Sequence, residues 1–220
     1  RRPLTTIKES VEVIRRLLRG EVVTYNGEVL KVSGAALSYK PVHEIPIYIG
    51  AQAPKMLQLA ASLGDGILIN ASNPKDYEYA MNIIRESAKD RIGKIDVVAY
   101  TSFSVDKDRV SARKTARPIV AFIVAGAPED VLKRHGIDLE KAKSIRENIS
   151  KGKFRDAFSI VTDEMIDAFS ISGSPSECIE VLDKLAKLGV TQIVFGSPIG
   201  KDKKSALQLI ASDIITHFKE

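Results

Sequence analysis

Four times along the chain a short, unbroken apolar run gives way to a helical pattern through a bend of small or polar residues, and this rhythm restricts the fold more than any other feature. Residues 45–49 (Ile-Pro-Ile-Tyr-Ile) lead through Gly50-Ala51-Gln52-Ala53-Pro54 into a helical pattern that stops at Gly64. Residues 66–69 lead through Asn70-Ala71-Ser72-Asn73-Pro74 into a helix ending near Lys89. Residues 97–105 precede a helix from about Asp108. Residues 192–195 end in Gly196-Ser197-Pro198-Ile199-Gly200, before a last helix opening at Lys201-Asp202-Lys203-Lys204. Unbroken apolar runs predict strands covered on both faces, as in parallel sheets. Strands alternating with helices predict right-handed crossovers and an α/β fold.

Four strand-helix units make half of an eight-stranded barrel, and a complete barrel takes about 250 residues. The chain has 220 residues and opens on Arg1-Arg2-Pro3 without Met. The expectation is therefore the C-terminal part of a (β/α)8 TIM barrel, one domain over residues 1–220, begun part-way through a gene product or after processing. A small open doubly wound sheet is the alternative. Between the third and fourth units, residues 110–169 read as a purely helical insertion. It contains Pro118, the break Gly126-Ala127-Pro128 and turn signals at Gly136 and Gly152. A helix over Pro175–Leu188, closed by Gly189, precedes the last strand.

Ahead of the first unit, Thr6 with Glu9 three residues later has capping-box spacing for a helix carrying Ile7, Val11, Ile14 and Leu18. Residues 22–25 and 29–32 flank Asn26-Gly27, which predicts a hairpin because both residues tolerate positive φ.

Composition narrows the chemistry. The 33 Lys and Arg are interspersed with 28 Asp and Glu, for a net charge of +5. That mild excess suits an anionic ligand rather than a nucleic acid. No apolar run approaches the ~20 residues that span a bilayer. One cysteine, Cys178, permits no internal disulfide; it sits in an amphipathic helical pattern as a buried thiol, and a reducing cytoplasm is the simplest compartment. His43, His135 and His217 are scattered, with no second ligand at metal spacing. Nucleophile elbow, Walker loop and Gly-x-Gly-x-x-Gly are all absent. Asp65 reads as a helix-to-strand turn, and no general acid-base pair lies in a strand-end loop. A cofactor that carries the hard step, as in hydride transfer, fits this inventory.

In parallel α/β folds ligands bind where strands end and helices begin. The small residues at 50–54 let a ligand approach the backbone, and the following helix aims its N–H groups at the bend, so an anion such as phosphate is the expected guest. A tight turn without a ligand is the alternative. Gln52 offers a side chain that both donates and accepts. Asn70 is a candidate polar contact, whereas Asn73 is expected to cap its helix. Ser102 and Ser104 share one face of their strand and Thr101 the other. Residues 196–200 read as a second phosphate loop, part of a substrate rim, or a rigid turn.

The stretch from Ile45 to Pro54, with Asp65-Gly66 ahead of the next strand, resembles the bacterial luciferase-like family of flavin and deazaflavin barrels. Within it the chain is most similar to reductases that use coenzyme F420. Residues 49–52, 68–76, 120–126, 134–136 and 196–200 carry that likeness. The resemblance implies hydride transfer between reduced F420 and a tetrahydromethanopterin-type one-carbon carrier, with the deazaflavin at the C-terminal mouth of the barrel. It implies cofactor contacts at Gly50, Ala51, Gln52, Ala53, Pro54, Asn70 and Ala71, with Gln52 facing the reacting ring. Ser197 and Pro198 are the expected substrate rim; no metal is implied. It also implies about a hundred further N-terminal residues that carry the other strands and the catalytic acids. The alternatives are a related flavin or F420 oxidoreductase, such as a monooxygenase or alcohol dehydrogenase, and a non-catalytic barrel subunit. A homo-oligomer is expected, and the apolar helix of residues 118–126 fits either burial in the core or a subunit contact.

Overall fold

The computed structural model describes residues 2–219; Arg1 and Glu220 lie outside the described residues. They form two compact units, one of residues 2–69 with 79–98 and one of residues 70–78 with 99–219.

The first unit opens with α1 (Pro3–Leu18), followed by the antiparallel pair β1 (Val23–Asn26) and β2 (Lys31–Ala35). Pro3 starts α1 three residues before the expected cap, and no side chain caps it. Thr6 instead donates its hydroxyl back to the Arg2 carbonyl at 2.8 Å. Glu9 is used elsewhere: its carboxylate accepts the N–H groups of Glu28, Val29 and Leu30 at 2.8, 3.1 and 2.7 Å. The expected two-residue turn is therefore a four-residue loop wrapped on a carboxylate. Gly27 has no positive φ; its role is close approach, because an added Cβ would collide with Glu9. The Leu30 N–H does most to hold the Glu9 carboxyl below its ordinary value, against burial, with Glu28 and Val29 adding to it.

β3 (Tyr48–Gly50) pairs in parallel with β4 (Gly66–Ile69) through α2 (Pro54–Leu63), with Ile49 opposite Ile67. The apolar run predicted a strand from residue 45, but pairing starts at Tyr48. Pro46 has no N–H, and the Ile47 N–H goes to the Asp65 carboxylate at 2.8 Å rather than to a ladder. Asp65 also accepts from Arg15 at 3.0 Å, and Arg15 donates to the Leu63 carbonyl at 2.8 Å, so the turn before β4 is pinned to α1. Gly66 is required there because a Cβ would run into the Tyr48 ring, whose hydroxyl is hydrogen-bonded to Asp96. β5 (Asp96–Val105) follows β4 in the sheet. Leu57, Ala60, Ala61, Ile67, Ile84 and Val97 fill this unit's core.

In the second unit β5 is buried along almost its whole length, as expected of a strand covered on both faces. β6 (Ile171–Gly173) runs parallel to it with Phe103 opposite Ile171, and β7 (Gln192–Ile199) also pairs with it. The sequence rhythm predicted four strands before helices and missed β6. Three residues with one apolar side chain make no detectable run. β7 also runs four residues past Phe195, so Ser197 and Pro198 lie on the strand and not in a loop after it.

Residues 110–169 are helical as expected: α4 (Arg109–Gly126), α5 (Glu129–Arg134), α6 (Leu139–Ser150), α7 (Phe154–Ile160) and α8 (Asp163–Phe169). Pro118 is carried inside α4. Gly136 and Gly152 take positive φ at the turns. Val120, Ala121 and Val124 of α4 pack against Ile145, Met165 and Ile166, so of the two readings of this apolar helix these residues follow burial in the core. α9 (Pro175–Leu188) follows β6. It is closed by a Ser174–Glu177 capping box and by Gly189 at φ 104°. Cys178 is buried in α9, and burial pushes its thiol up to about 12. α10 (Lys203–Leu209) follows β7 and passes through a π-helical turn (Ile210–Ile214) into a last short helix, α11 (Ile215–His217). Among the described residues no helix is long and apolar enough to cross a membrane.

Candidate functional site

Two strand-end bends carry the residues singled out from sequence. In the first unit, β3 ends at Gly50 and α2 begins at Pro54. Gly50, Gln52, Ala53 and Pro54 are exposed, whereas Ala51 is buried with its N–H on the Leu68 carbonyl at 3.0 Å. An added Cβ on Gly50 would meet no atom within 4 Å, so the backbone there is approachable. No side chain caps α2, and Pro54 fixes its first turn. The bend thus offers small residues, accessible main chain and the positive end of a helix, the donor set an anionic group needs.

In the second unit the chain leaves β4 through Asn70-Ala71-Ser72-Asn73 and enters α3 (Pro74–Ala88). Asn70 is exposed and Ala71 half-buried. The Ala71 carbonyl accepts the Tyr77 hydroxyl at 2.9 Å, and burial raises the pKa of that fully buried phenol. Ser72 accepts the Ser102 N–H at 3.0 Å. Asn73 caps α3 as expected by accepting the Lys75 N–H at 3.0 Å, and it also donates to the Asp167 carbonyl at 3.0 Å.

The same unit brings the end of β7 to β5. Ser102 donates its hydroxyl to the Ser197 carbonyl at 3.4 Å, and the Ser197–Pro198 peptide is cis. Ser197 is exposed and Pro198 half-buried. Of the β5 hydroxyls, Thr101 donates to the Val194 carbonyl at 3.0 Å and Ser104 to the Ala112 carbonyl at 2.8 Å. Those two therefore serve packing, and Ser102 is the one that links Ser72 to Ser197. Gly196 lets β7 approach, since a Cβ would overlap the Thr101 carbonyl oxygen.

Sequence reasoning gave no role to Asp76, Arg134 and His135, which the fold gathers into one part-buried cluster. Asp76 accepts from Arg134 at 2.8 Å and is 3.0 Å from His135 Nε2. The one available signal was an acid in the first turn of α3. The other two histidines stand apart, with His217 bonded to Asp183 at 3.1 Å. Among the described residues no cluster of His, Cys, Asp or Glu could hold a metal ion.

Residues 1–192 match the luciferase-like monooxygenase family. The chain is 53% identical to a 5,10-methylenetetrahydromethanopterin reductase of Archaeoglobus fulgidus, over 99% of this chain and 68% of that protein. It is 48% identical to the reductase of that name from Methanopyrus kandleri, over 99% of this chain and 64% of that one. It thus spans about two thirds of the length of these curated relatives. The solved coenzyme F420-dependent tetrahydromethanopterin reductase of Methanopyrus kandleri superposes with a TM-score of 0.93 at 47% identity, over 98% of this chain and 64% of that structure. An F420-dependent secondary alcohol dehydrogenase superposes at 0.72 with 20% identity, covering 93% and 59%, a likeness of fold alone. The strands and helices described above are accordingly those of a TIM barrel fold, and the chain belongs to the luciferase-like monooxygenase family, alongside its 5,10-methylenetetrahydromethanopterin reductases.

Proposed function

We propose that this chain is the C-terminal part of a cytoplasmic, homo-oligomeric reductase. Its reaction moves a hydride between reduced coenzyme F420 and the methylene group of methylenetetrahydromethanopterin, giving the methyl carrier. One observation carries the reading: about half of all positions are identical to reductases of that name across nearly the whole chain. The two strand-end bends are consistent with it.

The bend at 50–54 fits an anionic cofactor. Open backbone at Gly50 and the uncapped start of α2 suit the phosphodiester of F420. In this proposal Gly50 and Ala53 supply main-chain N–H contacts, Ala51 and Pro54 shape the bend around the cofactor, the first held to Leu68 and the second without an N–H, and Gln52 orients the ring. Asn70 and Ala71 contact the cofactor from the bend after β4, and Ser197 and Pro198 form part of the substrate rim. When bound, F420 supplies the hydride. The residues named here bind, orient and exclude water, and rate enhancement comes chiefly from holding the two rings at transfer distance.

Anaerobic mixing of the full-length protein that carries this chain with reduced F420 and methylenetetrahydromethanopterin tests the reading. Appearance of oxidised deazaflavin in step with methyl carrier is expected. Oxidation of the coenzyme without methyl product, or no oxidation at all, would overturn it.

A further inference from the structure

Several polar groups of the segment between β4 and the second turn of α3 are anchored. Tyr77 holds the Ala71 carbonyl, Ser102 holds Ser72, and Asn73 reaches the Asp167 carbonyl at 3.0 Å, near the end of α8. Asp76 adds the strongest tie. It is 8% exposed, and its two oxygens are divided between Arg134 at 2.8 Å and His135 at 3.0 Å, on consecutive residues at the end of α5. The His135 side chain is 2% exposed and its ring meets the Phe169 ring edge-on at 5.4 Å. Phe169 closes α8, so one imidazole is wedged between the carboxylate on α3 and the apolar end of α8.

A buried, hydrogen-bonded carboxylate is a weak source of net stability, because desolvation cancels most of the attraction. What such a cluster fixes well is geometry: a carboxylate with two donors at set distances leaves the first turn of α3 a single position. The ties at Asn73 and Asp76 lie two to six residues beyond Asn70 and Ala71. The helices α5 and α8, which contribute no residue to the proposed cofactor contacts, are thereby coupled to the bend that does.

We infer that Asp76, with His135 and Arg134, is a positioning group that holds the bend at residues 70–73 in its cofactor-binding conformation from the helical segment. The inference rests on the F420 reading above. An apolar pair of the same volume would pack as well but would not set the rotation of α3. Preorganisation of a binding loop improves affinity by removing an ordering cost that binding must otherwise meet.

The test uses the full-length protein that carries this chain, with Asp76→Asn, His135→Phe and His135→Gln. F420 affinity is read by titration, KM and kcat by steady-state assay, and amide hydrogen exchange is followed at residues 71–73 without ligand. Asp76→Asn and His135→Phe are expected to raise the Kd and KM for F420 about tenfold, with kcat at saturating cofactor within about twofold. Exchange at residues 71–73 is expected to quicken in both. His135→Gln keeps a donor toward Asp76 and recovers most of the affinity. Unchanged affinity in folded Asp76→Asn and His135→Phe proteins overturns the inference, as does faster exchange that leaves affinity untouched. Wild-type protein that binds no F420 overturns the underlying reading first, and the positioning role with it; the wild-type control keeps the two failures apart.

Discussion

After β3 the bend is Gly-Ala-Gln-Ala-Pro, with Ala51 fixed to its neighbour strand and an open backbone at Gly50. After β4 the bend is Asn-Ala-Ser-Asn, and side chains of α3 and the end of α5, with main-chain groups of β5 and α8, anchor it or the turn that follows. Both bends join a parallel strand to a helix that opens with proline. The first offers its main chain; the second offers a shape imposed by its surroundings. A ligand-binding rim can be built either way. A bend that presents backbone tolerates no bulk toward the ligand yet loses no stability when bulk is added, whereas a braced bend fails when its brace is cut.

The widest separation is between two glycines at strand ends. Gly196 lies against the Thr101 carbonyl oxygen, where a Cβ has no room. Gly196→Ala is expected to lower unfolding stability by ~2–3 kcal/mol, the cost of overpacking against backbone, read by denaturant titration. Gly50→Leu should leave stability within ~0.5 kcal/mol of wild type. It should weaken F420 binding about tenfold, by filling the space a ligand would use. Equal loss of stability at both positions would erase the distinction between the bends.

A second contrast concerns charge. Burial pushes the Asp65 carboxyl up, but the Arg15 guanidinium and the Ile47 N–H outweigh burial and hold it below its ordinary value. The folded value therefore lies below the unfolded one of about 3.9, so the unfolded chain binds the proton more readily. The stabilisation is complete above the unfolded value and is lost as pH falls through the folded one. Asp65→Asn should be less stable at neutral pH, and its stability should fall less steeply than wild type below about pH 4. A parallel fall in both proteins would mean that this ion pair does nothing for the turn. The smallest effect is expected at Gly152, where open space surrounds a φ of 70°. Gly152→Ala there costs ~1 kcal/mol by backbone strain alone, checked by thermal unfolding.

Much of this could be read from the residues. Unbroken apolar runs located β4 and β5 because long parallel strands need them, and Pro175, Gly189 and the turns at Gly136 and Gly152 marked helix boundaries through backbone conformation. The bends at 50–54 and 70–73 were legible as strand-helix junctions. What escaped was tertiary. Glu9 had the spacing of a capping box, yet its carboxylate found three amides on the hairpin. Ile47 carried a strand's side chain, but its N–H went to Asp65. β6 is too short to leave a pattern. The Asp76–Arg134–His135 cluster joins positions 58 and 59 residues apart, a distance over which no local rule reports.

The account stands on the exposed main chain of residues 50–54 as the place where an anionic cofactor is gripped. A crystal structure of the protein bound to F420 tests it most directly. The expected result puts the phosphodiester within hydrogen-bonding distance of main-chain N–H groups in this bend or the first turn of α2, with the ring toward Gln52. A cofactor seated elsewhere, with this bend open to water, would contradict it.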